Sequence, residues 1–260
     1  MSYITAYTTN DGTSGKMNQD ALGIQTARYH GLEYIFFAVC DGVGGLEEGE
    51  KASSYITEML CEWFQTSFSA LLRKKSSFLE IRRNFDDKLH YYNDCLNRYA
   101  SNKMISLGTT VTAVVTVPSE NKILVVNVGD SRLYKITPDD ISIITHDHSV
   151  VGEKIRKGII SEENAALDPK QNQITKCIGA GFDDSLYDFY ILDYQRECCY
   201  LLCTDGFRKK ITREEIFSFL NPGINTTEND LKTNLKHLVD MNIQRNETDN
   251  ITAVIVKILS

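Results

Sequence analysis

Positive charge is scarce in this 260-residue chain, where 28 lysines and arginines stand against 35 aspartates and glutamates and leave a formal net charge of −7. The basic residues form no block longer than Arg73, Lys74 and Lys75, so no nucleic-acid partner held through its phosphates is expected. Long apolar runs are also missing. No stretch approaches the roughly 18 apolar residues that cross a bilayer, and the opening MSYITAYTTN has neither a basic segment nor an apolar core. The expectation is therefore no membrane partner and a cytoplasmic location. Seven cysteines are an odd number and follow no regular framework, which fits buried, reduced thiols and excludes a disulfide scaffold. Cys198, Cys199 and Cys203 do not make a zinc site, because residues 198 and 199 of a strand point to opposite faces and no second pair has zinc-like spacing. There is no Walker or dinucleotide fingerprint, and no internal repeat, low-complexity tract or linker. With 42% hydrophobic residues, the chain is long enough to bury one large core.

What is present is one acidic setting used four times. Asp41 follows IFFAVC, Asp130 follows ILVVNVG, Asp205 follows YLLCT, and Asp249 precedes NITAVIVKI. A carboxylate at the end of a buried strand is costly unless something compensates it. With few lysines or arginines beside these acids in sequence, their recurrence points to strand ends converging on bound cations of the hard, oxygen-seeking kind, Mg²⁺ or Mn²⁺.

Short apolar and β-branched runs between polar or glycine-containing turns predict strands at YITAYTT, ALGIQTA and LEYIFFAVC, then TTVTAVVTV and KILVVNV joined by a hairpin at PSEN, then LYKI, YDFYILDY, ECCYLLCT and ITAVIVKI. Apolar residues at i, i+3 and i+4 predict helices over about 50–72 and 78–99, and again at TREEIFSFL and about 228–239. Residues 145–182 are polar, with a helix-like VVGEKIRKG and a start signal at Ser161, and read as an excursion from the core. Strands, a helix pair, strands, a helix pair and a strand predict an α+β layered domain with largely antiparallel sheets.

Each acid also has a plain alternative. Asp41-Gly42-Val43-Gly44-Gly45 lets the chain turn tightly, so that the Gly42 carbonyl can join the Asp41 carboxylate around a cation, or it is a glycine turn with a solvated aspartate. Asp205-Gly206 and Asp249-Asn250 are read either as the same theme or as ordinary turns. Asp130 could pair with Arg132, Asn18 could open an Asx turn, and Asp147 and His148 could be loop polar residues.

Taken in order, NQDA at 18–21, CDGVGG at 40–45, GTTVTAVV at 108–115, NVGDSRLY at 127–134, DHS at 147–149, CTDGF at 203–207 and DNITAVIV at 249–256 resemble the successive motifs of the type 2C metal-dependent serine/threonine protein phosphatases in their bacterial form. The resemblance implies a four-layer αββα sandwich, two antiparallel sheets flanked by helix pairs, as a single catalytic domain over 1–260 with 145–182 as its flap. It implies two Mn²⁺ or Mg²⁺ ions. Asp41 would bridge both, Asp205 and Asp249 would bind one, the Gly42 carbonyl would bind the other, and Asp20 would act through water. Asp130 with Asp205 matches a third ion position. Asp41, Asp205 and Asp249 are thus the expected catalytic residues. Phosphorylated proteins would be the substrates, a Ser/Thr kinase the opposing enzyme, and the chain a monomer. Water activated between two cations needs no protein nucleophile. Cys203 is no rival, because four residues separate it from Arg208 where cysteine-dependent phosphatases have five.

Two positions depart from the family pattern. Gly15, with Lys16 beside it, stands where many relatives carry a phosphate-gripping arginine, which makes Lys16 the candidate substrate contact. Val43 replaces a proposed proton-donating histidine of animal relatives. Two other readings stay open: a catalytically silent scaffold of the same fold, and a phosphatase for small metabolites.

Overall fold

The computed structural model describes residues 3–46, 48–165, 167–181 and 187–259, with the side chain of Glu163 left aside. Its strands are β1 (Tyr3–Asn10), β2 (Asp20–Tyr29), β3 (Leu32–Asp41), β4 (Gly108–Thr109), β5 (Val111–Val117), β6 (Lys122–Val128), β7 (Arg132–Ile136), β8 (Ile141–Ile143), β9 (Ile178–Gly179), β10 (Asp188–Asp193), β11 (Cys198–Cys203) and β12 (Ile251–Ile258). They form two five-stranded sheets, ordered β1-β12-β11-β7-β8 and β10-β6-β5-β3-β2, plus the small pair β4-β9. Every pairing is antiparallel.

The near-continuous apolar runs of β3, β5, β6, β11 and β12 are explained by burial on both faces. Between the sheets, Ile35, Phe37, Val39, Val114 and Val125 of one pack with Leu133, Tyr200, Leu202, Val254 and Val256 of the other. The outer face of the β3-containing sheet, with Phe36, Ala38 and Val126, is covered by helices bearing Ile56, Trp63, Phe85 and Leu89. The outer face of the β12-containing sheet, with Leu201, Ala253 and Ile255, is covered by Ile216, Leu231, Leu235 and Leu238. This is the αββα sandwich.

The first helical layer is α1 (Gly49–Trp63), a π-helical turn (Phe64–Phe68), α2 (Ser69–Arg73) and α3 (Phe78–Lys103). The single helix expected over about 50–72 is therefore interrupted by one widened turn. That turn accommodates a crowd of rings, with Phe64 and Phe68 stacked at 4.9 Å and Trp63 stacked on Phe85 of α3 at 4.2 Å. A capping box at Ser77 and Glu80 starts α3. Further along lie α4 (Val150–Arg156), α5 (Glu162–Ala165), α6 (Asp205–Arg208), α7 (Arg213–Leu220) and α8 (Glu228–Gln244). Thr212 and Thr227 open the last two, each with a capping box. Among the described residues no helix is long and apolar enough to cross a membrane.

The polar excursion is fastened at both ends. Within it Ser149 bridges Ile174, and β9 near its close pairs with β4, matching Gly108 to Gly179 and Thr109 to Ile178.

Phe85 is fully buried and closes the Trp63 stack. Phe85→Ala is expected to lower unfolding free energy by about 3–5 kcal/mol, read from the midpoint of a urea melt.

Candidate active site

Sheet register brings the acids together. In the β2-β3 pairing Asp20 stands directly opposite Asp41, an arrangement in which like charges repel. The backbone holds Asp41 in place regardless: its carbonyl accepts from the Thr110 amide at 2.8 Å and Thr109 Oγ1 at 2.9 Å, and its amide donates to Thr110 Oγ1 at 3.0 Å. Asp20 is held from the other sheet, where Thr204 Oγ1 donates to its Oδ2 at 2.9 Å. Its Oδ1 is buried and has no hydrogen-bond partner. Burial first, then Asp205 and Asp249, raises the Asp20 carboxyl to about 7 against the opposing hydrogen bonds of Thr252 and Thr204. Asp41 is pushed well above the usual carboxylate range by burial, and then by Asp20, Asp205, Asp130 and Asp249.

On the facing sheet β11 and β12 pair so that Cys203 meets Ala253, which sets Asp205 and the Asp249-Asn250 turn at one end. Gly206 is required there, because a Cβ on it would lie 2.2 Å from the Asn250 carbonyl oxygen. Gly42 is required for a similar reason: a Cβ would come within 2.6 Å of Gly49 backbone and 2.9 Å of the Gln19 carbonyl. Asn250 ties the sheets together by accepting from the Gln19 amide at 2.9 Å. Glu247 organises the turn by accepting from the amides of Thr248 and Asp249 at 2.8 and 2.9 Å.

Lysine and arginine stand closer to these acids than the sequence indicates. Lys209 Nζ lies 2.6 Å from Asp205 Oδ2 and 2.9 Å from Asp249 Oδ2. Burial alone would lower its pKa, but the two carboxylates outweigh burial and raise it. Arg208 is turned the other way, donating to the Asp130 carbonyl at 3.0 Å and to Asp147 Oδ2 at 3.3 Å, with Asp130 Oδ2 at 3.8 Å. The pairing read for Asp130 and Arg132 is corrected here. Arg132 forks onto Asp147 through two 2.8 Å hydrogen bonds, a geometry that a guanidinium and a carboxylate satisfy in one plane. Asp147 thus lies in the loop between β8 and α4, but as a largely buried, paired carboxylate and not a solvated one. Burial would raise its pKa, yet Arg208 and Arg132 hold it below the ordinary value. Asp130 is raised to about 7, by burial and then Asp205, against the pull of Arg208. His148 is built in as well: Gly129 donates its amide to Nδ1 at 3.0 Å, which leaves Nε2 to donate to Asp188 at 3.1 Å.

Asp20, Asp41, Asp130, Asp205 and Asp249 therefore share one electrostatic neighbourhood at the adjoining ends of the two sheets. Gly42 leads out of it, with its amide on the Gln19 carbonyl at 3.0 Å. Asn18 makes the Asx turn, accepting from the Asp20 amide at 2.9 Å. Lys16 is exposed, and among the described residues no contact ties its ammonium to the acids. Sequence reasoning missed Thr204, Arg208, Lys209 and Glu247, and read Asp147 only as part of the DHS motif or as a loop polar residue. Only Lys209 carried a readable signal, the four-residue spacing from Asp205 that one helical turn brings face to face.

The donor set suits a hard cation: several carboxylates, one buried unpartnered oxygen, and an ammonium already bridging two of the acids. As the side chains stand, no three His, Cys, Asp or Glu groups among the described residues are close enough to hold an ion. Lys209 takes up the facing oxygens of Asp205 and Asp249, so an ion entering there has to displace it.

A model described as protein phosphatase 2C matches residues 10–240 of this two-sheet sandwich with acids gathered at its strand ends, which makes the chain a phosphatase. The chain belongs to that family. It is 29% identical over 224 residues to the serine/threonine phosphatase stp of Listeria innocua, covering 84% of this chain and 82% of that protein. The serine/threonine phosphatase Stp1 from Staphylococcus aureus superposes with a TM-score of 0.81 at 26% identity, over 98% of this chain and 95% of that one. The catalytic domain of PstP, solved in complex with two manganese ions, shares the fold with a TM-score of 0.78 at 20% identity over 99% of both chains.

Asp147 pairs with two largely buried guanidiniums. Asp147→Asn is expected to cost about 3–5 kcal/mol of stability, measured by guanidinium denaturation, whereas Lys122→Met at the exposed Asp193 pair is expected to cost about 1 kcal/mol or less.

Proposed function

We propose that the chain removes phosphate from phosphoserine and phosphothreonine in phosphorylated proteins, opposing a Ser/Thr protein kinase, with the help of two Mn²⁺ or Mg²⁺ ions. The observation that carries this reading is the crowding of Asp20, Asp41, Asp205 and Asp249, where burial first and then the neighbouring carboxylates raise the Asp20 and Asp41 carboxyls and call for positive charge. Bound divalent ions would supply that charge, ready a water for attack on phosphorus and offset charge building on the phosphoryl oxygens. The two manganese ions of the PstP domain suggest the same pair here.

In this reading Asp41, Asp205, Asp249 and the Gly42 carbonyl would hold the ions, with Asp20 behind them. Thr204, donating to Asp20, and Thr109 and Thr110, clamping Asp41, keep both acids in place. Asp130 with Asp205 would hold a third ion, the Arg208 guanidinium standing 3.8 Å from Asp130 Oδ2. The attacking oxygen comes from solvent. Cys203 is fully buried in β11 with its thiol pushed up to about 12 by that burial, far from a thiolate at neutral pH. Lys16, on the exposed segment before β2, is the proposed contact to substrate phosphate. Residues 145–182 form the flap of one catalytic domain, working as a monomer. The free state of all the cysteines suits a reducing cytoplasm.

Asp41→Asn and Asp205→Asn are each expected to abolish Mn²⁺-dependent phosphate release from a phosphopeptide, and chelator is expected to do the same to the wild type. Full turnover in either variant would overturn the assignment. Faster release from sugar phosphates than from phosphopeptides would move the substrate to small metabolites.

A further inference from the structure

α6 is a single turn, and its geometry places a cation on the acids that the turn itself introduces. The Lys209 amide donates to the Asp205 carbonyl at 3.0 Å, so the lysine lies one turn beyond Asp205 and its side chain folds back over it. The ammonium then reaches Asp205 Oδ2 at 2.6 Å and Asp249 Oδ2 at 2.9 Å. These acids come from different segments, the end of β11 and the turn before β12, and the lysine joins them. The neighbouring cations are committed elsewhere: Arg208 to Asp130 and Asp147, and Arg132 to Asp147. Lys209 is one-quarter exposed, with side-chain accessibility of 26%, so its head has a way out to solvent.

An ammonium that donates to two carboxylates uses the oxygens a divalent cation would take, and charge-assisted hydrogen bonds of this length are among the stronger ones. A cation arriving at Asp205 and Asp249 gains their charge only by breaking both contacts. We infer that Lys209 is a tethered competitor for the cation site: it bridges Asp205 and Asp249 when no ion is there, is expelled when one binds, and thereby sets how tightly the chain holds its metal. This rests on the reading of these two acids as metal ligands. The flexible four-carbon stem makes the exchange feasible, because the ammonium can leave the carboxylates without α6 moving.

The test is Mn²⁺ binding to the purified full chain, followed by electron paramagnetic resonance of the free ion and by calorimetry, for wild type, Lys209→Met, Lys209→Gln, Asp205→Asn and Lys122→Met. Lys122 pairs with Asp193 in an exposed position and controls for the loss of one positive charge. Lys209→Met is expected to bind Mn²⁺ at least about tenfold more tightly, about 1.4 kcal/mol, and its metal-free form is expected to melt below the wild type. Lys209→Gln repeats the test with a polar side chain should the Met variant fold poorly, and Lys122→Met is expected to match wild-type affinity. Wild-type binding that Asp205→Asn weakens, together with equal or weaker binding by both Lys209 variants, overturns the inference alone. Tightening by Lys122→Met as large as that by Lys209→Met overturns it too, since net charge then accounts for the gain. A wild type that binds no Mn²⁺ overturns this inference along with the metal reading beneath it.

Discussion

The structure depends on holding like charges together. Asp20 and Asp41 face each other across a β-ladder, and Asp205 and Asp249 approach from the opposite sheet. No local preference of the chain favours this, because each carboxylate loses water and meets others of its own sign. The interleaved apolar core between the sheets, with Ile35, Phe37, Tyr200, Val254 and their neighbours, provides the opposing free energy. Backbone register then leaves the acids little freedom to retreat. A site of this kind is electrostatically expensive by design and draws cations because of it, Lys209 and Arg208 among them.

Two neutralising systems divide the acids. Arg132, Arg208, Asp147 and Asp130 form a mostly internal network in which guanidiniums and carboxylates are nearly matched. Asp205 and Asp249 share one lysine, while the Asp20 carboxylate accepts from Thr204 at one oxygen and has the other unpartnered, and Thr109 and Thr110 hold Asp41 by its backbone. The first system is self-sufficient. The second is short of positive charge, and the proposed pair of ions belongs there.

Much of this could be read from residue order. Strand runs ending in acids foretold where the carboxylates would gather, since a strand of known length ends where its apolar run ends, and collinear motifs foretold the layers. The helix over about 50–72 was legible by its period, but its π turn was not, because a widened turn answers to the neighbouring rings of Phe36 and Phe85. The partners of the acids were harder to read. Arg132 sits two residues from Asp130 and fifteen from Asp147 in sequence, yet strand geometry turns it to the latter. Thr204 and Glu247 look like ordinary polar residues of turns, and their roles depend on which segment the other sheet brings opposite them. β8 went unforeseen because three residues carry too little pattern.

The order in which strands are neighbours also constrains how the protein can be made. β12 lies between β1 and β11, and Thr9 of the first strand touches Thr252 of the last across 243 positions of sequence. A nascent chain leaving the ribosome therefore holds β1 unpaired on that edge until the 243 positions from Thr9 to Thr252 have been translated. Contacts that distant slow folding. They also mean that the acids cannot assemble on a growing polypeptide, so a truncated product would carry the early motifs without a working centre.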